Sequence, residues 1–128
     1  METFHQVIDY QQGPREAGRA ELYLDLRPEL LNLGGVVHGG VLATLLDVVC
    51  AQAGTYTGSL QQRQLALTLS LNLTFTGQCN GGRLRAVGTL KSKGTRIFNS
   101  TGEVFDEDGK LLAMAQGTFR LRSQQPAS

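Results

Sequence analysis

The run from Val41 to Ala53 restricts the folds open to this chain more than any other stretch of its sequence. Its polar residues are Thr44, Asp47 and Gln52. The apolar side chains occupy all sides of a helix, a pattern typical of a buried helix. Gly39 and Gly40 stand at its start and Gly54 at its end, where helices commonly stop. We therefore predict one buried helix of about 14 residues, too short to cross a bilayer.

Asp47 is the single carboxylate on this predicted helix. A buried, unpaired carboxylate costs several kcal/mol or takes up a proton, so its presence needs a reason. One interpretation is structural, with Asp47 bonded to the backbone or to a basic residue. The other is chemical, because His38-Gly39-Gly40 places unobstructed backbone N–H groups at the positive end of the helix dipole. Such donors can hold a developing oxyanion.

The distance between these two features carries a further prediction. Asp47 follows Gly39 by eight residues, so the two lie about 12 Å apart along the helix axis. An acid or base must lie within hydrogen-bond reach of the reacting atoms, which one helix cannot arrange for both groups. If they act together, a second chain supplies one of them, most simply across a two-fold axis. The pattern thus predicts an obligate dimer.

Alternating hydrophobicity predicts five strands around the helix. They cover residues 20–27, 65–76, 83–91, 95–106 and 111–121. In the second strand every odd-numbered residue from Leu65 to Phe75 is apolar. These side chains share one face of the strand, and that face is expected to pack on the helix. One strand, the helix and then four strands in hairpins indicate an α+β fold with an antiparallel sheet.

The 128 residues are expected to form a single domain. Residues 1–18 are predicted to be a short helix or coil extension that ends near Gly13-Pro14, and residues 55–63 a polar loop. Residues 123–128 are expected to be a disordered tail. The amino end lacks the basic and apolar segments of a signal peptide, which favours a cytoplasmic location.

The net charge of +1 argues against a general role in nucleic-acid or membrane binding, but the charges are unevenly spread. No acidic residue occurs between Asp47 and Glu103. The basic residues of that stretch are Arg63, Arg83, Arg85, Lys91, Lys93 and Arg96. They suit either a ligand with several phosphates or strand edges protected by solvated cations.

The two cysteines, Cys50 and Cys79, fall in the predicted helix and in a loop, with no metal-binding or disulfide spacing. A reducing compartment is therefore favoured, and Cys50 is interpreted as a small core residue. With His5 and His38 as the only histidines, no histidine-rich metal site is predicted.

The order and spacing of Asn32, His38-Gly39-Gly40 and Asp47, followed by strands in this sequence, resemble the hotdog-fold acyl-CoA thioesterases of the PaaI-like group. The resemblance runs from about Leu22 to Leu121. It implies a long central helix wrapped by a curved antiparallel sheet of five to six strands. It also implies homodimers that pair into homotetramers, and hydrolysis of a small aromatic or medium-chain acyl-CoA to the free acid and coenzyme A (CoA).

The resemblance also implies roles for individual residues. Asp47 matches the acidic residue that acts as general base or nucleophile, and Gly39 matches the residue whose N–H polarises the thioester carbonyl. Asn32 helps to place that carbonyl or the water, and His38 is the neighbouring histidine. Thr68 matches a residue that assists the acid, although regular alternation puts it opposite the leucines, so contact requires a bend or a partner chain.

Binding of the coenzyme is implied for a second group of residues. These are Gly40, Lys91, Lys93, Gly94, Thr95 and Arg96. No metal and no cofactor is expected, since CoA is part of the substrate.

Two other classes of function stay open. Hotdog domains also serve as non-catalytic acyl-CoA-binding modules, although binding an acyl chain does not require a buried acid. A dehydratase or isomerase of this fold usually pairs a histidine with an acid, and His38 is the only plausible partner for Asp47 here.

Overall fold

A curved six-stranded antiparallel sheet packs against one long helix in the computed structural model, which describes residues 3–58, 62–122 and 125–126. The helices are α1 (Phe4–Ile8) and α2 (Gly39–Ala53), with a 3-10 turn at Pro28–Leu30. The strands are β1 (Gln11–Glu16), β2 (Arg19–Asp25), β3 (Gln62–Arg63), β4 (Ala66–Phe75), β5 (Arg83–Lys93), β6 (Ile97–Phe105), β7 (Leu111–Leu121) and β8 (Gln125–Pro126). The sheet order is β1-β2-β5-β6-β7-β4. The predicted α+β hotdog arrangement is confirmed.

Helix α2 begins at Gly39 and ends before Gly54, as the sequence predicted. His38 is its N-cap and Gly54 its C-cap. One face is buried against the sheet and consists of Val41, Leu42, Leu45, Leu46, Val49, Cys50 and Ala53. The opposite face, which carries Asp47, is only half-buried in the single chain. The prediction of a helix buried on all sides is therefore wrong for one chain, because a single sheet covers only one side of a helix.

Two glycines allow α2 to lie unusually close to the sheet. Gly88 on β5 is the cross-strand partner of Gly102 on β6. A Cβ on Gly88 would overlap the carbonyl oxygen of Val49 and lie 2.7 Å from its carbonyl carbon. A Cβ on Gly102 would lie 2.8 Å from the Cys50 sulfur. The helix backbone therefore occupies the space that side chains would fill at these positions.

Replacing Gly88 by alanine is expected to destabilise the protein by about 3 kcal/mol, the upper end of the usual cost of overpacking. The new methyl group meets helix backbone, which cannot rotate away as a side chain would. Denaturant unfolding at a fixed protein concentration measures the change. Gly81→Ala is the matched control, since a Cβ there meets nothing within 4 Å. Equal stability of the two variants would contradict the close approach of helix and sheet.

A β-bulge in β4 changes which side chains face the helix. The register with β7 shifts between Thr68 and Ser70, so alternation reverses at that point. Before the bulge Thr68 faces α2, and after it Leu71 and Leu73 pack on the core. Leu65, Leu67 and Leu69 are instead about half exposed, at 46%, 52% and 54%. The predicted packing of the whole leucine face on the helix is thus wrong for its first half.

The amino-terminal segment is more ordered than predicted. A short helix is present as α1, but residues 11–16 form strand β1 at the edge of the sheet instead of coil. Pro14 is tolerated there because an edge strand has one unpaired side and because the register shifts between Gln12 and Arg15. The alternation pattern missed this strand because the bulge interrupts it.

Two predicted connections also differ. The last three strands form the predicted hairpins, β5 with β6 and β6 with β7, but β4 pairs with β7 and not with β5. Segment 76–82 carries the chain across the end of the sheet, and Val37 donates to the Cys79 carbonyl there. Residues 62–63 of the predicted loop pair with residues 125–126 of the predicted disordered tail. The remainder of that tail, 123–124 and 127–128, and residues 59–61 of the loop lie outside the described residues.

Candidate active site

Asp47 lies on the half-buried face of α2, opposite the bulged strand β4. The Thr68 hydroxyl donates to Asp47 Oδ1 over 2.6 Å, a short, charge-assisted hydrogen bond. Within the described residues, Asp47 Oδ2 accepts no hydrogen bond. One carboxylate oxygen is therefore fixed while the other is available, an arrangement that suits a general base or a nucleophile. The bulge in β4 provides the bend that contact between Thr68 and Asp47 was predicted to require.

The amino end of α2 presents one free backbone donor. The His38 ring caps the helix, its Nδ1 accepting from the Gly40 N–H at 2.8 Å. The Gly40 N–H is thus used internally, whereas the Gly39 N–H has no acceptor within the described residues. Because Nδ1 accepts, the neutral ring carries its proton on Nε2. Of the two glycine donors anticipated from the sequence, only Gly39 remains for an oxyanion.

Asn32 shapes the loop that leads into α2. Its Oδ1 accepts from the Gly34 N–H at 2.8 Å and from the Val36 N–H at 3.3 Å. The side-chain amide nitrogen makes no hydrogen bond in the part of the chain that the structure describes. Asn32 therefore holds the loop through its oxygen and can donate through its nitrogen.

In the single chain these groups line two separate clefts. Asp47 and Thr68 line a cavity of about 1090 Å³ beside the carboxyl half of α2. Asn32 and His38 line a second one of about 480 Å³. Because Gly39 and Asp47 lie on one continuous helix, eight positions apart, helical rise keeps the backbone donor and the acid about 12 Å apart along the axis.

Cys50 lies one turn beyond Asp47 and is fully buried. Burial, together with the negative charge of Asp47, raises the pKa of its thiol to about 12. The thiol is therefore protonated near neutral pH and does not act as a nucleophile. Its predicted role as a small core residue is confirmed. Within the described ranges no three His, Cys, Asp or Glu residues are arranged to hold a metal ion.

The predicted coenzyme-binding segment forms the exposed β5–β6 turn. Lys91 and Lys93 end β5, and Gly94, Thr95 and Arg96 form the turn. Lys93 Nζ donates to the Gly54 carbonyl at 2.8 Å, so this cation caps the carboxyl end of α2 and offsets its dipole. Lys91 and Arg96 form no ion pair with any described residue.

Arg83 and Arg85 each pair with a carboxylate of β2. Arg83 pairs with Asp25 at 3.5 Å, and Arg85 pairs with Glu21 at the same distance. Glu21 also accepts from Arg19 at 2.6 Å. Burial tends to raise the pKa of Glu21, but its hydrogen bonds from Arg19 and Tyr23 and the charges of Arg19 and Arg85 together lower it. The excess of basic residues in mid-sequence is thus partly balanced by carboxylates on β2.

Several polar residues of the larger cleft were missed at the level of sequence. They are His5, Tyr10, Gln12, Arg15, Gln52, Thr55 and Tyr56. Most come from the segment that the sequence assigned to helix or coil, and no local pattern there marks a site. No helix within the described residues is both long and apolar enough to cross a membrane.

Comparison with known proteins gives a consistent result. Residues 34–113 match the sequence model of the thioesterase superfamily. A Saccharolobus solfataricus protein with a provisional esterase name is 30% identical over 105 residues, covering 81% of this chain and 72% of that protein. The structure of a variant of the phenylacetic acid degradation protein PaaI from Thermus thermophilus is 27% identical, with a TM-score of 0.81 over 93% of this chain and 98% of that one. The conserved protein PA5202 of Pseudomonas aeruginosa is 28% identical, with a TM-score of 0.84 over 95% of each chain.

Proposed function

The chain belongs to the thioesterase superfamily, and on that premise we propose that it hydrolyses a small aromatic or medium-chain acyl-CoA to the free acid and CoA. Its likeness to PaaI-type proteins and its thioester-hydrolase class agree with the resemblance seen in the sequence. The observation that carries the proposal is the Asp47–Thr68 pair, with one carboxylate oxygen fixed by a 2.6 Å bond and the other bonded to none of the described residues.

The reaction follows from this geometry. The thioester carbonyl oxygen accepts a hydrogen bond from the Gly39 N–H, which lies at the positive end of the α2 dipole. Asp47 removes a proton from water as the water oxygen bonds to the carbonyl carbon, and the carbon–sulfur bond then breaks. The CoA thiolate takes up the proton. Alternatively Asp47 attacks the carbonyl carbon and the resulting anhydride is hydrolysed.

A homodimer completes this site in the proposal. Asp47 from one protomer and Gly39 from its partner meet across a two-fold axis. Strand β4 supports such an interface, because it is a sheet edge of ten residues with Leu65, Leu67 and Leu69 half exposed beside it. The uncovered face of α2, which carries Asp47, is a second surface that a partner would bury.

The remaining assignments concern residues that do not react themselves but place or bind the substrate. Asn32 helps to place the carbonyl or water, and His38 and Gly40 hold the loop that presents the Gly39 N–H. The turn from Lys91 to Arg96 receives the nucleotide of CoA, supported by the positive charges of Lys91 and Arg96, which pair with no described carboxylate. Pairing of dimers into a tetramer, cytoplasmic location and the absence of a cofactor stay predictions of the sequence.

The two alternatives lack a specific observation in their favour. A binding module has no need of a carboxylate oriented by a hydroxyl. A dehydratase or isomerase would use a histidine beside Asp47, but the His38 Nδ1 is already engaged as the acceptor that caps α2. Release of thiol from a panel of acyl-CoAs by the purified protein tests the proposal. Binding without thiol release would favour the module.

Mixing two inactive variants tests the shared site. In a dimer of one Asp47→Asn and one Gly39→Pro protomer, one site carries both defects and the other is intact. Random re-association of equal amounts should therefore restore about one quarter of the wild-type activity. No recovery, with heterodimers demonstrated by two different affinity tags, would contradict a site built from both chains.

A further inference from the structure

The larger cleft continues beyond Asp47 along α2 and becomes more polar. Its far part is lined by Gln12, Arg15, Gln52, Thr55 and Tyr56. The Gln12 and Gln52 side chains donate to each other and the Thr55 hydroxyl donates to the Ala51 carbonyl, whereas Arg15 keeps donors that no described residue uses. The wall of this cleft is therefore unlike that of a purely apolar acyl pocket.

Arg15 is aimed into this cleft by the bulge of β1. Gln12 pairs with Leu22 and Arg15 pairs with Ala20, and both partners are fully buried on the helix side of β2. Residues three apart on a regular strand point to opposite faces. Two residues of β1, Gly13 and Pro14, lie opposite the single residue Glu21 of β2, and this one extra residue places both side chains over α2.

Neutral groups hold the Arg15 guanidinium there. Nη2 donates to the Gln52 carbonyl at 3.3 Å and lies 3.5 Å from the Thr55 hydroxyl. In the described part of the chain no carboxylate lies within ion-pair distance of Arg15, in contrast to Arg19, Arg83 and Arg85. Arg15 is exposed in the single chain, although partial burial lowers the pKa of its guanidinium. An exposed cation held by neutral acceptors can pair with an anionic ligand.

Its position along α2 fits the end of an acyl group. Gln52 follows Asp47 by five residues, about 7.5 Å along the axis. That is close to the length of a six-carbon chain whose first carbon is attacked at Asp47. Resting on the function proposed above, we propose that the enzyme acts on acyl-CoAs whose acyl group ends in a carboxylate, which Arg15 binds through Nε and Nη1, the donors that no described residue uses.

Kinetics on a matched pair of substrates test this inference. The CoA monothioester of hexanedioic acid and hexanoyl-CoA share chain length and differ in the terminal carboxylate. The wild type should hydrolyse the first with the higher kcat/KM. Arg15→Gln should lower kcat/KM for the dioic substrate by about 10- to 100-fold and leave that for hexanoyl-CoA unchanged, while Arg15→Lys should recover part of the loss.

Arg27→Gln is the control for structural effects. Arg27 also donates to backbone carbonyls, those of Val7 and Ile8, but it lies outside the cleft. This variant should leave the ratio of the two kcat/KM values at the wild-type level.

Three outcomes separate the possibilities. Equal losses on both substrates in Arg15→Gln would overturn the inference, because Arg15 would then bind the coenzyme phosphates or only cap α2. A wild-type preference for hexanoyl-CoA would also overturn it while leaving thioester hydrolysis intact. Failure to cleave any acyl-CoA would remove the proposed function and, with it, the inference that rests on it.

Discussion

Replacing Asp47 by asparagine is expected to lower kcat for acyl-CoA hydrolysis by about 100- to 10,000-fold, the usual contribution of a positioned general base. Asparagine keeps the shape and can still accept from the Thr68 hydroxyl, but its amide neither removes a proton from water nor attacks a carbonyl. Since Asp47 is half-buried and forms no ion pair with a described residue, the fold should survive. Thiol release measures the rate and circular dichroism the fold.

Asp108→Asn controls for the loss of one negative charge. Asp108 is exposed in the turn between β6 and β7, away from the cleft. This variant should keep full activity. Turnover of Asp47→Asn at a rate comparable with Asp108→Asn would remove Asp47 from the mechanism and leave the structural interpretation of this carboxylate.

Replacing Gly39 by proline is expected to lower kcat by about 100- to 1000-fold, the cost of losing one oxyanion donor. Proline has no N–H, so this substitution deletes the donor and little else. Gly39 is the first residue of α2, a position where proline is well tolerated. The preceding His38 has φ −68° and ψ 134°, the extended conformation that a following proline requires.

Gly39→Ala is the matched control because it adds a side chain and keeps the N–H. A Cβ at this position lies 3.4 Å from the nearest atom of the Phe75 ring, an ordinary contact. We expect this variant to retain most of the activity, because the N–H that binds the carbonyl oxygen is still present. Equal activity of Gly39→Pro and the wild type would show that the carbonyl oxygen is bound elsewhere. Equal loss in Gly39→Ala and Gly39→Pro would show that space at residue 39, and not its N–H, is what matters.

The limits of α2 and the distance between its two functional groups could be predicted from the sequence because both are local. A helix end depends on the few residues around it, and His38 with Gly40 closes the amino end through a bond between residues two apart. The 12 Å separation of Gly39 from Asp47 follows from helical rise alone. The same holds for the turn at residues 106–109, in which the Asp106 carboxylate accepts from the Lys110 N–H at 2.9 Å.

The positions of Thr68 and Arg15 could not be predicted in this way. Each lies on an edge strand, beside a bulge that reverses the alternation of side chains. A bulge is one or two unpaired residues, and its place depends on how a strand fits its neighbour and the helix beneath. A role for Thr68 was suggested only by the family resemblance, and no feature of the sequence indicated a role for Arg15.

The sequence by itself determined one long helix, the strands that follow it, and an acid that one helix cannot bring to its own amino end. Only the tertiary structure decided which edge strands border that acid and which cations are already paired. The physical reason is the range of the interactions involved. Helix geometry and capping act over a few residues, whereas strand register and ion pairs, such as that between Arg85 and Glu21, join residues far apart in the chain.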